Sequence, residues 1–261
     1  MRVSDLFIHP IKSCRGIRVE RMTFGPFGPT NDRAWMVVTP GGDMIAQARH
    51  PRLCLVNTAL DKDGALTVGE DALGTLRIAP EAAGKVRRKA RIRLDRVDAI
   101  DEGAAAAQWF TELLGEPARL VRVDPTGSRM SSRVTRAPVA FADLGSVLVV
   151  SSASLGDLNA RLETPLPMDR FRPNIVVEGC APYAEDDWKK IRIGDVTLRG
   201  MIRCARCVVT TTNQETAERA DEPLRTLASY RKPALRGGPV FGKYFAYADG
   251  DAVCTGDDVR I

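Results

Sequence analysis

The sequence predicts a β-rich α+β fold in two parts: a β-barrel-like N-terminal domain over residues 1–95, and a mixed β-barrel C-terminal domain with a few helices over residues 96–261. Three observations predict it. Short β-branched and aliphatic runs recur along the chain, turn residues stand between them, and only two segments carry apolar residues at clear helical spacing. With 261 residues, 44% of them hydrophobic, the chain can fill one large or two small cores. No repeat or low-complexity linker marks a division, so the boundary near residue 95 is a soft one that segments can cross.

In chain order, Leu6 to His9, Ala34 to Thr39, Leu53 to Leu60, Leu66 to Val68 and Leu76 to Ala79 read as strands of the first domain. Pro40-Gly41-Gly42-Asp43 and Asp61-Lys62-Asp63-Gly64 supply tight turns between them. Asp101 can cap an Ala-rich helix through Trp109, Phe110, Leu113 and Leu114 that Gly115 closes. Val147 to Val150 reads as a strand. Ser151 or Ser152 then caps a second helix with Leu155, Leu158 and Leu162 on its core face. Ile191 to Leu198 reads as a hairpin around Gly194-Asp195.

The net charge is +5, and much of the excess crowds into Lys85, Arg87, Arg88, Lys89, Arg91, Arg93 and Arg96. Ile92, Leu94 and Val97 fall in rough alternation there, which predicts a strand with one basic face. Such a face is either solvated surface or a docking site for an acidic redox partner. No aromatic interleaving or groove-reading helix accompanies it, which argues against nucleic acid. No segment has the apolar length of a membrane span, and Met1 to Pro10 lacks the zones of a signal peptide. Six cysteines without a regular framework fit a reducing compartment, and the expected location is cytoplasmic.

The densest chemistry lies in Arg203-Cys204-Ala205-Arg206-Cys207, followed by Val208-Val209-Thr210-Thr211-Thr212. A dithiol redox centre needs its cysteine pair at a helix N-terminus, whereas five β-branched residues in a row predict a strand with Cys207 at its entrance. Structural zinc needs four ligands, and Cys14, Cys54, Cys180 and Cys254 are scattered singly with only His9 and His50 to help. Two readings remain open from the residues themselves. One is a single thiolate beside Arg203 and Arg206, suited to a soft metal carried by an anionic cofactor; the other is a pair of buried, inert cysteines.

This stretch resembles the cofactor-binding signature of MOSC-domain proteins, and among them the amidoxime-reducing components and their bacterial relatives. The resemblance extends along the chain through His9-Pro10-Ile11-Lys12-Ser13-Cys14-Arg15-Gly16, Asn31-Asp32-Arg33-Ala34-Trp35 and Phe171-Arg172-Pro173-Asn174-Ile175-Val176-Val177. It continues in Tyr183 to Trp188, Ile193 to Val196, Gly242-Lys243-Tyr244-Phe245 and Gly256-Asp257. It implies the molybdenum cofactor, Mo-molybdopterin, with Cys207 as the protein ligand to the metal and the catalytic centre, and Cys204 as a neighbouring packed thiol. By the same resemblance Lys12, Ser13 and Arg33 contact the cofactor phosphate, Arg172 and Asn174 contact the pterin from a strand, and Asp143, Arg206 and Tyr244 lie at the site.

The implied activity is reduction of N-hydroxylated compounds (amidoximes, hydroxylamines and N-hydroxy base analogues) to amidines or amines. The alternative it leaves is a cofactor carrier or sulfur-transfer module. The chain shows no nucleotide-binding Gly-rich turn and no iron–sulfur cysteine spacing, so an external donor is expected: a flavoprotein reductase, a ferredoxin or a cytochrome b5-like protein. Asp186 or Glu185 is a candidate proton source. Ala48, in Gln47-Ala48-Arg49-His50, stands where relatives often have arginine; if that segment is a strand, Arg49 points to the opposite face and does not replace it.

Overall fold

The apolar run Val147–Ser151 is buried on both faces, as befits an interior strand of an eight-stranded sheet. The computed structural model describes residues 1–80, 86–126, 129–130, 137–231 and 237–261. In spatial order the large sheet runs Val259–Arg260, Lys190–Ile193, Val196–Ala205, Val240–Asp249, Val147–Ser151, Ile175–Glu178, Arg2–Ile8 and Ile17–Val19. Neighbours are antiparallel except Val147–Ser151 and Ile175–Glu178, which are parallel. Val147 and Val149 point to one core with Ile175, Val177, Leu198 and Phe245. Leu148 and Val150 point to the other, with Leu158, Phe171, Cys204 and Phe241.

A four-stranded antiparallel sheet of Trp35–Val38, Arg119–Val123, Asp95–Asp101 and Arg87–Ile92 forms the second body of strands. The meander Asn57–Leu60, Leu66–Glu70 and Gly74–Ile78 shares its core, as does the helix Ala104–Leu114 through Trp109, Phe110 and Leu113. Ala252–Cys254, Arg21–Gly25 and Gly28–Pro29 make a further small, three-stranded sheet. With the helices Ser152–Asn159 and Leu224–Tyr230 the chain is the β-rich fold with a few helices that the sequence predicts. Among the described residues no helix is long and apolar enough to cross a membrane.

Several local expectations are corrected. Only Asn57–Leu60 of Leu53 to Leu60 is strand, because Pro51 opens a 3-10 turn, Pro51–Leu55, that tucks Leu53 and Cys54 into the core. Ser151 caps the second helix as expected, its hydroxyl accepting from the N–H of Ser154 at 3.0 Å. Asp101 is not the cap of the first: Gly103 occupies that position, and Asp101, at the end of its strand, accepts from the Gly103 N–H at 2.8 Å. Gly115 closes that helix in the left-handed conformation, and Gly194-Asp195 turns the hairpin in which Ile193 faces Val196.

The basic stretch is largely neutralised. Arg87 pairs with Asp124, Arg88 with Asp101, Lys89 with Asp98, Arg91 with Asp43 and Arg93 with Asp143. Lys85 lies outside the described residues. Leu94 is fully exposed in the turn between two strands, so the alternation holds only for Ile92 and Val97.

Asp101 is 1% exposed and gathers Arg88, Arg119 and the start of a helix onto one carboxylate. Arg119 and Arg88 outweigh the opposing effect of burial and hold its pKa below the ordinary value. Asp101→Ala is expected to lower the unfolding free energy by about 2 kcal/mol, since both arginines keep partial access to water. Urea denaturation of the two proteins measures it.

Candidate functional site

The strand Val196–Ala205 ends just before Cys207, and the β-branched residues beyond it do not continue as a strand. Val208–Thr211 is a 3-10 turn, so Cys207 stands at a strand exit and not at an entrance. The reason is local: the hydroxyls of Thr210 and Thr211 bond back to the carbonyls of Cys207 and Val208, at 3.0 and 2.8 Å, which offers the backbone an alternative to a ladder. Cys207 is exposed, while Cys204 on the preceding strand is 2% exposed and packs among Phe171 and Phe241.

Arg206, between them, is 7% exposed and holds the segment in place. Its Nε donates to Phe241 O at 2.8 Å and its Nη1 to Phe171 O at 2.9 Å, while the guanidinium lies over both rings. Behind it, a Cβ on Gly238 would fall 1.9 Å from Arg206 O, so only glycine admits this approach. Arg203 turns away toward Asp186 and does not flank the thiol.

All nine residues singled out in the sequence (Lys12, Ser13, Arg33, Asp143, Arg172, Asn174, Arg206, Cys207 and Tyr244) line one open cleft of about 270 Å³. Arg172 and Asn174 precede their strand, Ile175–Glu178, where a strand position had been expected. Arg172 closes the 3-10 turn Met168–Phe171 in left-handed backbone (φ 51°), and Ser13 and Arg33 share that conformation. Such geometry costs non-glycine residues about 1 kcal/mol each and is held by its surroundings. Arg33 supplies much of that hold: it donates to Asp32, to Asn174 Oδ1 at 3.1 Å and to Arg172 O at 3.0 Å. Asn174, 1% exposed, accepts from Leu148 N–H and donates to Phe7 O, both at 3.1 Å, and so locks the cleft to three strands.

The electrostatics are one-sided. Lys12, Arg33, Arg93, Arg170, Arg172 and Arg206 line the cleft against the single carboxylate of Asp143. Burial and the neighbouring Arg33 bring Arg172 down to about 10, and burial lowers Lys12 despite its 2.9 Å pair with Asp143. Asp143 moves the other way: burial works to raise it, but Lys12 and Arg93 prevail and hold it at about 2. Burial raises the pKa values of both Tyr244 and Cys204 and keeps them in their neutral forms.

Arg170 and Thr210 also line the cleft and were not singled out in the sequence. Arg170 lies just before the Phe171 to Val177 motif, and no sequence signal marked it. The Gln47 to Arg49 segment is a turn and not a strand; Gln47 and Ala48 line the cleft, and Arg219 donates to the carbonyls of both at 2.6 and 2.8 Å. His50 points to Glu116. Glu185 is buried against Ser151 and Ser154, and Asp186 pairs with Arg231; neither lines the cleft.

Over residues 1–117 the chain matches the MOSC N-terminal beta barrel domain, and over residues 136–260 the MOSC domain. It is 38% identical to "Mitochondrial amidoxime-reducing component 1" of Mus musculus over 281 residues, 99% of this chain and 82% of that protein. It is 34% identical to the protein of the same name from Homo sapiens over 277 residues, again 99% of this chain and 82% of that one. A "Molybdenum cofactor sulfurase" of Oryza sativa subsp. japonica is 31% identical over 274 residues, 95% of this chain but 33% of that protein. The chain belongs to the MOSC-domain family, as a homologue of the mitochondrial amidoxime-reducing components.

Because the folded pKa of Asp143 lies below its ordinary value of 3.8, the pair with Lys12 stabilises the protein fully above about pH 5 and loses that contribution as pH falls toward 2. Asp143→Asn is therefore expected to be less stable than the parent at neutral pH, with the difference shrinking between about pH 5 and pH 3. Urea midpoints across that range give the measurement.

Proposed function

We propose that the cleft holds the molybdenum cofactor, with Cys207 as protein ligand to the metal, and reduces N-hydroxylated compounds such as amidoximes, hydroxylamines and N-hydroxy base analogues. The observation that carries this reading is an exposed thiol at the end of a cleft lined by six cations and one carboxylate, a donor set suited to a soft metal on an anionic carrier. Buried polar atoms on cleft residues also lack a partner among the described residues, namely Arg206 Nη2, Arg170 Nε and both amide atoms of Gln47. Buried polar atoms of this kind call for a ligand or water, and the residues present fit an anionic group rich in hydrogen-bonding atoms. Homology to proteins named for amidoxime reduction supports the reaction class.

When bound, the cofactor supplies the two-electron chemistry; the balance is one amidoxime, two electrons and two protons giving one amidine and one water. The chain's own residues bind and orient. Lys12, Ser13 and Arg33 would take the phosphate, Arg172 and Asn174 the pterin, and Arg206 fixes the backbone that presents the Cys207 sulfur. Asp143 stays ionised at neutral pH and so is not a proton donor, whereas Lys12 and Tyr244 each carry a proton. Electrons come from a separate redox protein: a flavoprotein reductase, a ferredoxin or a cytochrome b5-like carrier. The proposed setting is the reducing cytoplasm, where the six free cysteines stay reduced.

The rice relative supports a second reading, a cofactor carrier or sulfur-transfer module. The experiment that separates them expresses the protein with molybdate and supplies benzamidoxime and a chemical reductant. The expected result is benzamidine, and in Cys207→Ala loss of turnover and of bound molybdenum, with the unfolding midpoint of an exposed-site variant unchanged. Retained molybdenum with no turnover in the parent favours the carrier; turnover surviving in Cys207→Ala removes the ligand assignment.

A further inference from the structure

The cations of the Arg87–Ile92 strand are largely spent on carboxylates, but a group at one edge of the large sheet is not. Lys189, Lys190, Arg192, Arg199 and Arg260 are all exposed, and none has a carboxylate partner among the described residues. The register sets like against like: Lys190 lies opposite Arg199, and Arg192 opposite Arg260. Such pairs weaken a sheet, so folding stability does not account for them.

Their position relates them to the cleft. Directly paired residues share a face of the sheet, as do residues two apart on one strand. Arg199 faces Ala246, and Tyr244, two residues along, lines the cleft. Strand spacing then puts Lys190 and Arg199 within about 12 Å of Tyr244, on the face into which the cleft opens. Asp187 stands beside the two lysines, while Asp195, Asp249, Asp251 and Asp258 gather at the far end, around the hairpin tip. The carboxylates thus cluster at the tip, in the rows that also carry Arg192 and Arg260, while Lys190 and Arg199 stand between the tip and the cleft. Ile202 on the neighbouring strand and Val208 next to Cys207, each 37% exposed, add apolar surface. Apolar contact within a charged border is the anatomy of a transient protein interface.

We propose that this face, centred on Lys190 and Arg199, docks an electron-carrying protein with a carboxylate-rich surface. A standard partner footprint of about 800 Å² is roughly 30 Å across and spans both the basic rows and the cleft mouth. Complementary charge steers the encounter. The proposal rests on the need for an external donor stated above.

The test uses the molybdenum-loaded protein and two probes, a plant-type ferredoxin and a soluble cytochrome b5. Benzamidoxime reduction is driven by each reduced probe and, separately, by reduced methyl viologen. Lys190→Glu combined with Arg199→Glu is expected to raise the KM for at least one probe about tenfold at low salt and to remove its salt dependence. The methyl viologen rate stays unchanged, and Lys89→Glu with Arg91→Glu, in the paired stretch, leaves the probe KM unchanged. Equal KM values in parent and Lys190/Arg199 variant overturn the docking surface, as does failure of both probes to bind the parent at low salt. If methyl viologen drives no turnover in the parent, the reductase reading fails, and calorimetric Kd values of the oxidised probes for parent and variant still decide the docking question by the same shift.

Discussion

The carboxamide of Asn174 is the contact on which the arrangement depends. One side chain accepts from the strand Val147–Ser151, donates to the strand Arg2–Ile8 and accepts from Arg33, while its own backbone N–H donates to Leu148 O. Remove it and three separate pieces of chain lose their common reference. Being 1% exposed, it forms these bonds away from competing water, where each is stronger and its loss more costly. Arg33 then passes the constraint on to Asp32 and to the carbonyl of Arg172, so left-handed residues that would relax alone are kept in place.

A cleft lined by six cations and one carboxylate brings like charges together. Acids hold Lys12 and Arg33, through Asp143 and Asp32, but backbone holds two others: Arg172 donates to Cys14 O, and Arg206 to Phe171 O and Phe241 O. Neutral partners anchor the guanidinium groups without cancelling their charge, which leaves the cleft strongly positive for an anionic ligand. The second basic region, on the sheet face beside the cleft, follows a different rule, with no anchoring acid and like charges in register.

The architecture was legible where periodicity is strong. The Ala-rich helix and its Gly115 stop, the Ser151 cap and the Gly194-Asp195 hairpin follow from local chemistry that tertiary contacts do not override. Val208 to Thr211 were misread because threonine hydroxyls can satisfy nearby carbonyls, an option that β propensity ignores. The basic run around residue 90 was legible as charge but not as pairing, since Asp43, Asp124 and Asp143 reach it only through the fold. The cleft residues were picked out by resemblance, and spacing alone left Cys207 undecided between metal ligand and packed thiol. What sequence could not convey was Arg170, whose place depends on the turn that reverses the chain before Arg172.

The order of strands in the large sheet bears on when the cleft can exist. Val240–Asp249, nearly the last long strand, lies between Val196–Ala205 and Val147–Ser151, and Arg2–Ile8 waits for Ile175–Glu178 before it has a neighbour on that side. Lys12 and Tyr244, at opposite ends of the polypeptide, line the same wall. A nascent chain still threaded in the ribosome therefore has no receptacle to fill, and any prosthetic group must be delivered to a finished, already rigid protein rather than wrapped during synthesis.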